Sequence, residues 1–207
     1  MLRSGFEASK MAALMRERVA VTWKFYFIYA LWMLLLFPVH ESAHYVGYRM
    51  AGVSVRMTLN TVTPYDETQR RAAPELAGPL MNLVVGAVAV YAFYHAKRGH
   101  QWWAALALCA ALFRLAIYLI VLVGAAVTGS GMGMGNDEPI AASLLHLPSL
   151  TFVFLLTPFF LMIVWCVLRD IEGSWLRRSG HLLGLTAVTI GLGVFIGQFV
   201  DFWLFPR

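Results

Sequence analysis

Long apolar runs separated by polar joints constrain this chain more than any other feature. Five can be marked in its 207 residues, at about 22–50, 76–95, 101–127, 150–168 and 182–204. About 20 apolar residues carry a helix across the hydrocarbon of a bilayer. Lipid offers no partner to backbone N–H and C=O groups, so each run is expected to form a helix that pairs them internally. Only 13% of the residues are charged and 60% are apolar, too little charge to clothe a water-soluble domain of this size. The expected fold is an all-α polytopic membrane protein with about five transmembrane helices, forming one integral membrane domain over residues 1–207. Within it, 1–21 reads as an amphipathic lead, 22–140 as the core that carries the chemistry, and 141–207 as additional helices.

The joints carry the remaining signals. The first 20 residues are too polar for a signal-peptide core and suit a short helix on the membrane surface, so no cleavable targeting segment is expected. After the first run, Val53, Val55, Met57 and Leu59 alternate with Ser54, Arg56, Thr58 and Asn60. That period of two predicts a half-buried strand, and "TPYDE" after it predicts a turn. A short β-hairpin lying against the membrane domain follows. The third run ends in a long joint with glycines at 129, 131, 133 and 135, either a hinge over a site or a loose loop.

The net charge of +5 comes without a basic motif interleaved with aromatics, so no nucleic acid is expected as a partner. Lys and Arg instead flank the runs, where they act as interfacial anchors and topology signals. Arg3, Lys10, Arg16, Arg18 and Lys24 share a face with Lys97, Arg98, Arg169, Arg177 and Arg178, ten charges against five on the other face: Arg49, Arg56, Arg70, Arg71 and Arg207. The count favours an N-terminus inside, against which four of the five outer charges cluster in one loop. Cys109 and Cys166 both fall within apolar runs and read as buried thiols rather than a disulfide or a cysteine metal site.

Near the end of the first run stands His40-Glu41-Ser42-Ala43-His44. On a helix, positions i and i+4 share a face, so both imidazoles reach one ion. Glu41 is turned about a third of a turn away, close enough to meet a water on that ion without ligating it. Zinc lowers the pKa of such a water towards neutrality, and a carboxylate beside it can take the proton and later pass it to a leaving amine. Ionisable groups deep in a span cost roughly 3 kcal/mol each on insertion scales, and coordination of a metal offsets that cost. Pro38, just before the motif, frees the carbonyl of Leu34 and kinks the helix.

A catalytic zinc takes three protein ligands and leaves one position open. The spacing that would put a third histidine at position 50 finds Met50 there. Glu67 and Glu75 lie within sequence reach, and Asp137 and Glu138 follow the third run. Counting crossings brings the segment around Asp137 back to the side on which His40 and His44 lie. Asp137 also precedes Glu138-Pro139, a helix start for which it would serve as N-cap.

Taken together, "HESAH" in the first run, "AGPLMN" at 77–82 and an aspartate after the third run resemble the site-2 protease family of intramembrane zinc metalloproteases. The resemblance spans about residues 25–140. It implies cleavage of a peptide bond in or near a transmembrane segment of a membrane-protein substrate. One zinc ion per chain would sit on His40, His44 and Asp137, with Glu41 as general acid/base. Asn82 would hold the substrate strand or the developing oxyanion, and Gly78-Pro79 would let backbones approach closely. The hairpin would receive the unwound substrate by strand addition. The family's usual N-P-x-x-x-L-D-G-like string is absent, and Ala43 stands where many members have glycine. An active site facing the cytosol, as in the family, would put residues 51–75 inside, against the charge count. The expected location is a bacterial cytoplasmic membrane. The competing readings are a non-catalytic chaperone or scaffold with a protease-like fold, and a metal transporter using the histidines in transit.

Three further features read structurally. Arg114, in the middle of the third run, needs a counter-charge, for which Asp201 in the last run is a conceivable partner. Gly193 and Gly197 form a small-x-x-x-small pair suited to helix packing. His146 is a remote alternative ligand that reads first as an interfacial histidine.

Overall fold

A computed structural model describes residues 18–96, 98–128 and 136–204, so most of the expected N-terminal lead and the glycines at 129, 131, 133 and 135 lie outside the described residues. In chain order the elements are α1 (Trp23–Met50), β1 (Val55–Met57), β2 (Val62–Pro64), α2 (Ala72–His95), α3 (His100–Thr128), α4 (Asp137–Leu144), α5 (Thr151–Leu168) and α6 (Trp175–Phe195). A π-helical stretch, Ile196–Val200, and a last turn, α7 (Asp201–Leu204), continue α6. Among the described residues four helices, α1, α2, α3 and α5, are long and apolar enough to cross a bilayer. The fifth expected run is divided among α6, the π-helical stretch and α7, and α6 opens on the polar Arg177, Arg178 and His181.

α3 is the axis of the bundle and packs on α1, α2, α5 and α6. Its first half buries Ala104, Ala105, Ala107, Leu108, Ala110 and Ala111. Between apolar helices, close packing of small residues supplies the attraction that water would otherwise drive. α1 buries one stripe at helical spacing: Phe25, Tyr29, Met33, Phe37, His40, His44 and Tyr48. Both histidines therefore continue the line of side chains that faces α2 and α3. Gly47 of α1 meets Pro74 of α2, while His40 and His44 meet Gly78, so the two helices run antiparallel.

The two ends of the bundle differ. At one, Val19 bridges to Ile171: its N–H donates to the Asp170 carbonyl at 3.0 Å, and its own carbonyl accepts from the Glu172 N–H at 3.0 Å. Tyr94, near the end of α2, donates to the Cys166 carbonyl of α5 at 2.6 Å. At the other end lie the hairpin and α4. The hairpin pairs Val55 with Pro64, Arg56 with Thr63 and Met57 with Val62, and Thr58 N–H donates to the Thr61 carbonyl at 2.8 Å. The turn is therefore Thr58–Thr61, earlier than the expected "TPYDE"; Thr63 and Pro64 belong to the second strand. Proline is tolerated on such an edge because its missing N–H faces no partner strand.

α4 begins deep within the bundle. Arg114 sits halfway along α3, and Thr128 is roughly 20 Å further along the axis. Nevertheless Asp137 and Glu138, which open α4, both pair with Arg114. The N-cap of α4 is Asn136, not Asp137, whose carboxylate is thereby released for other contacts. The tip of the hairpin is also fixed: Leu59 N–H donates to the Asp201 carboxylate at 2.8 Å, and Asn60 packs over Gly197. Gly197 thus receives the hairpin rather than a helix, while Gly193 faces Phe37 of α1.

Candidate metal centre

His40, His44 and Asp137 converge on one point. His40 Nε2 lies 3.1 Å from His44 Nε2 and 3.2 Å from Asp137 Oδ2, and His44 Nε2 lies 3.4 Å from the same oxygen. Among the described residues this is the one group of three such side chains placed to share an ion. Ligands bound tetrahedrally at about 2.0–2.1 Å from an ion stand about 3.3–3.4 Å from one another. The triangle therefore has nearly the edge lengths of one face of such a shell.

Donor chemistry fits as well. His44 Nδ1 donates to the Pro74 carbonyl at 2.8 Å, which leaves the lone pair on Nε2 directed at the centre of the triangle. The His44 lone pair, His40 Nε2 and a carboxylate oxygen facing each other at this distance suit a cation between them; the buried Nδ1 of His40 has no partner among the described residues.

Arg114 forms the buried ion pair that the sequence suggested, with other partners than Asp201. Its partners are Asp137, at 3.2 Å from Nη1 to Oδ2, Glu138, bound through Nη2, and His40, whose Nε2 lies 3.5 Å from Nη1. Asp201, the conceivable partner, is engaged by the hairpin instead. Tyr118, one turn further along α3, donates to the other Glu138 oxygen at 2.6 Å. Glu138 is therefore held by two side chains of α3 and is not a ligand. The signal was available in part: one arginine in an unbroken apolar run, and two adjacent carboxylates at the head of α4.

The other candidate ligands are occupied elsewhere. Glu75 accepts from Tyr48 and from Arg70, the latter at 3.2 Å. Glu67 is exposed and pairs with Arg70, whose hydrogen bond holds its carboxyl below the ordinary range. His146 is exposed and belongs to no such group. Gly78 has a sharper role. A Cβ there would overlap His44 Nε2 and come within 2.5 Å of His40 Cε1, so only glycine lets α2 close over the pair. Asn82, one turn further along α2, is fully buried, and neither amide atom has a partner among the described residues.

A cavity of about 290 Å³ opens beside the triangle. Glu41 lines it together with Arg70, Glu75, Asn136 and the stretch 60–63 of the hairpin. The bonds Thr58–Thr61 and Tyr65–Ser54 set the register, so Thr63 spends its backbone groups on Arg56. Val62 N–H and C=O and the Pro64 C=O point to the free edge. The cavity thus combines three convergent ligand atoms, an adjacent carboxylate and an unpaired strand edge.

Comparison with family models, with characterised proteins and with solved structures finds no match to this chain.

Proposed function

We propose that the chain is an intramembrane metalloprotease of the site-2 protease type, cleaving a peptide bond in or near a transmembrane segment of a membrane-protein substrate. It would hold one zinc ion on His40, His44 and Asp137 and cross a bacterial cytoplasmic membrane five times, the last crossing built from α6 and its π-helical continuation. One observation carries the reading: three ligand atoms at the spacing of a tetrahedral face meet inside an apolar bundle, in a cavity that also holds a free carboxylate. A divalent ion bound there supplies the Lewis acidity that makes water a nucleophile at neutral pH.

The chain's own residues have separable tasks. His40, His44 and Asp137 would hold the ion beside the cavity. Glu41 holds the proton taken from water and returns it to the leaving amine. The free edge of β2 receives an unwound substrate strand through Val62 and Pro64. Asn82 is assigned to substrate or oxyanion binding on its unsatisfied amide, which has no partner among the described residues; it is fully buried and does not itself line the cavity. Transport and scaffolding require no base between the histidines, which is why the protease reading is preferred.

The test uses full-length protein in detergent or liposomes with a single-span membrane substrate. Wild type should contain one equivalent of divalent metal and cut the substrate. Glu41→Gln should keep the metal and lose about 10²–10⁴-fold in rate. Unimpaired cleavage by Glu41→Gln, or wild type without metal, would overturn the reading.

A further inference from the structure

The residue that completes the triangle lies on α4, far from α1 in sequence, and something must bring it to the histidines. We propose that Arg114 is a positioning residue: its guanidinium, braced by Tyr118 through Glu138, docks α4 so that Asp137 presents Oδ2 to the metal site. The inference rests on the metal-centre reading given above and adds to it the device that assembles the third ligand.

Four observations support the assignment. Arg114 is 1% exposed in the middle of an apolar helix, a position that an unpaired charge does not tolerate. The planar fork of its guanidinium is divided between two consecutive carboxylates, Nη1 to Asp137 Oδ2 and Nη2 to Glu138 Oε2. α4 packs on α2 and α5; adjacent residues of a helix point about 100° apart, so a single cation that binds both sets the rotation with which α4 sits there. Glu138 is itself fully buried, and its second oxygen is taken by Tyr118. The α3 ring of Phe113 closes the same corner, edge-on to His40 with ring centroids 5.6 Å apart.

The arrangement separates two jobs that sequence alone would leave to either acid. Glu138 gives both oxygens to α3 and anchors; Asp137 gives Oδ2 to the histidine pair while its place is held by Arg114. Lysine would keep the charge and lose the fork, so Arg114→Lys should release the rotation of α4 without removing the counter-ion.

The experiment titrates cobalt(II) into full-length protein in detergent, reading affinity and the visible ligand-field bands that report coordination geometry. Arg114→Lys should weaken cobalt binding about 10–100-fold, the usual effect of losing a residue that orients a ligand. Its bands should shift to those of Asp137→Ala. In the Asp137→Ala background the same substitution should change neither affinity nor spectrum. Tyr118→Phe, which removes one hydroxyl, should give a smaller loss of the same kind and serves as the deciding variant where Arg114→Lys does not fold. Additive losses in the double variant, or wild-type affinity and bands in the folded Arg114→Lys or Tyr118→Phe protein, would overturn the positioning role. A wild type that binds no cobalt would instead overturn the metal centre itself.

Discussion

The two ends of this bundle solve the problem of an apolar solvent in opposite ways. At the end where α1 begins and α5 finishes, the chain closes on itself: Val19 pairs with Ile171, Tyr94 caps the Cys166 carbonyl, and the alanine-rich half of α3 fills the interior. At the other end the interior holds two histidines, four carboxylates (Glu41, Glu75, Glu138 and Asp201), Arg114 and Asn82, whose amide has no partner among the described residues. The closed end has the composition of a structure selected for packing. The site end retains groups that packing alone would have replaced with leucine. Substitutions that treat the two ends alike should therefore have opposite consequences.

The largest contrast is expected from Leu108→Ala at the closed end. Leu108 is fully buried in the central helix. Removing it from a water-soluble core costs about 2–5 kcal/mol. Lipid is as apolar as the vacated space, so the transfer part of that cost shrinks and a loss of about 2 kcal/mol is expected here. Reversible unfolding in mixed micelles measures it. Metal content of the folded fraction should not change; a loss of metal without unfolding would mean that the two ends are coupled through α3.

Asn82→Leu reverses the sign. Both polar atoms of the side chain are buried without a partner among the described residues, and an unsatisfied buried amide costs about 1–3 kcal/mol. An apolar side chain of similar volume should thus raise stability by about 1–2 kcal/mol while lowering proteolysis. A variant that is both less stable and fully active would show that Asn82 is a structural residue with an ordinary packing role.

What the sequence disclosed follows the same division. Helices α1, α2, α3 and α5 were legible because a bilayer permits few ways to satisfy a backbone, and their bounds fall within a few residues of the apolar runs. His40 and His44 on one face follow from helical periodicity alone. That Asp137 can come near them follows from counting crossings. Arg114 was legible as a charge in need of a partner, but choosing among Asp137, Glu138 and Asp201 requires knowing that α4 re-enters to the midpoint of α3. The hairpin turn was misplaced because Thr58–Thr61 contains neither glycine nor proline, whereas Pro64 does signal a turn and is tolerated here as an edge residue. The role of Gly78 depends on the antiparallel register of α1 and α2, which no single-chain pattern encodes.

The smallest expected effect concerns the outer pin of the site end. Asp201 accepts the Leu59 N–H at 2.8 Å, and Asn60, the next residue, lines both the metal-site cavity and an adjoining cleft of about 390 Å³ between α3 and α6. The hairpin tip is thus held against the π-helical stretch at the boundary between the two spaces. Asp201→Asn keeps an acceptor oxygen in place and removes only the charge, so a loss of about 1 kcal/mol is expected, confined to the hairpin. Faster hydrogen exchange at the Leu59 amide, with unchanged exchange at Val19 and unchanged metal content, is the expected signature. If the pin only shapes the tip, turnover stays at the wild-type level. If it regulates passage between cleft and cavity, turnover of a membrane substrate changes while that of a short soluble peptide does not. Acceleration of exchange at both ends would instead show that the hairpin and the closed end unfold as one unit, and the contrast between them would fail.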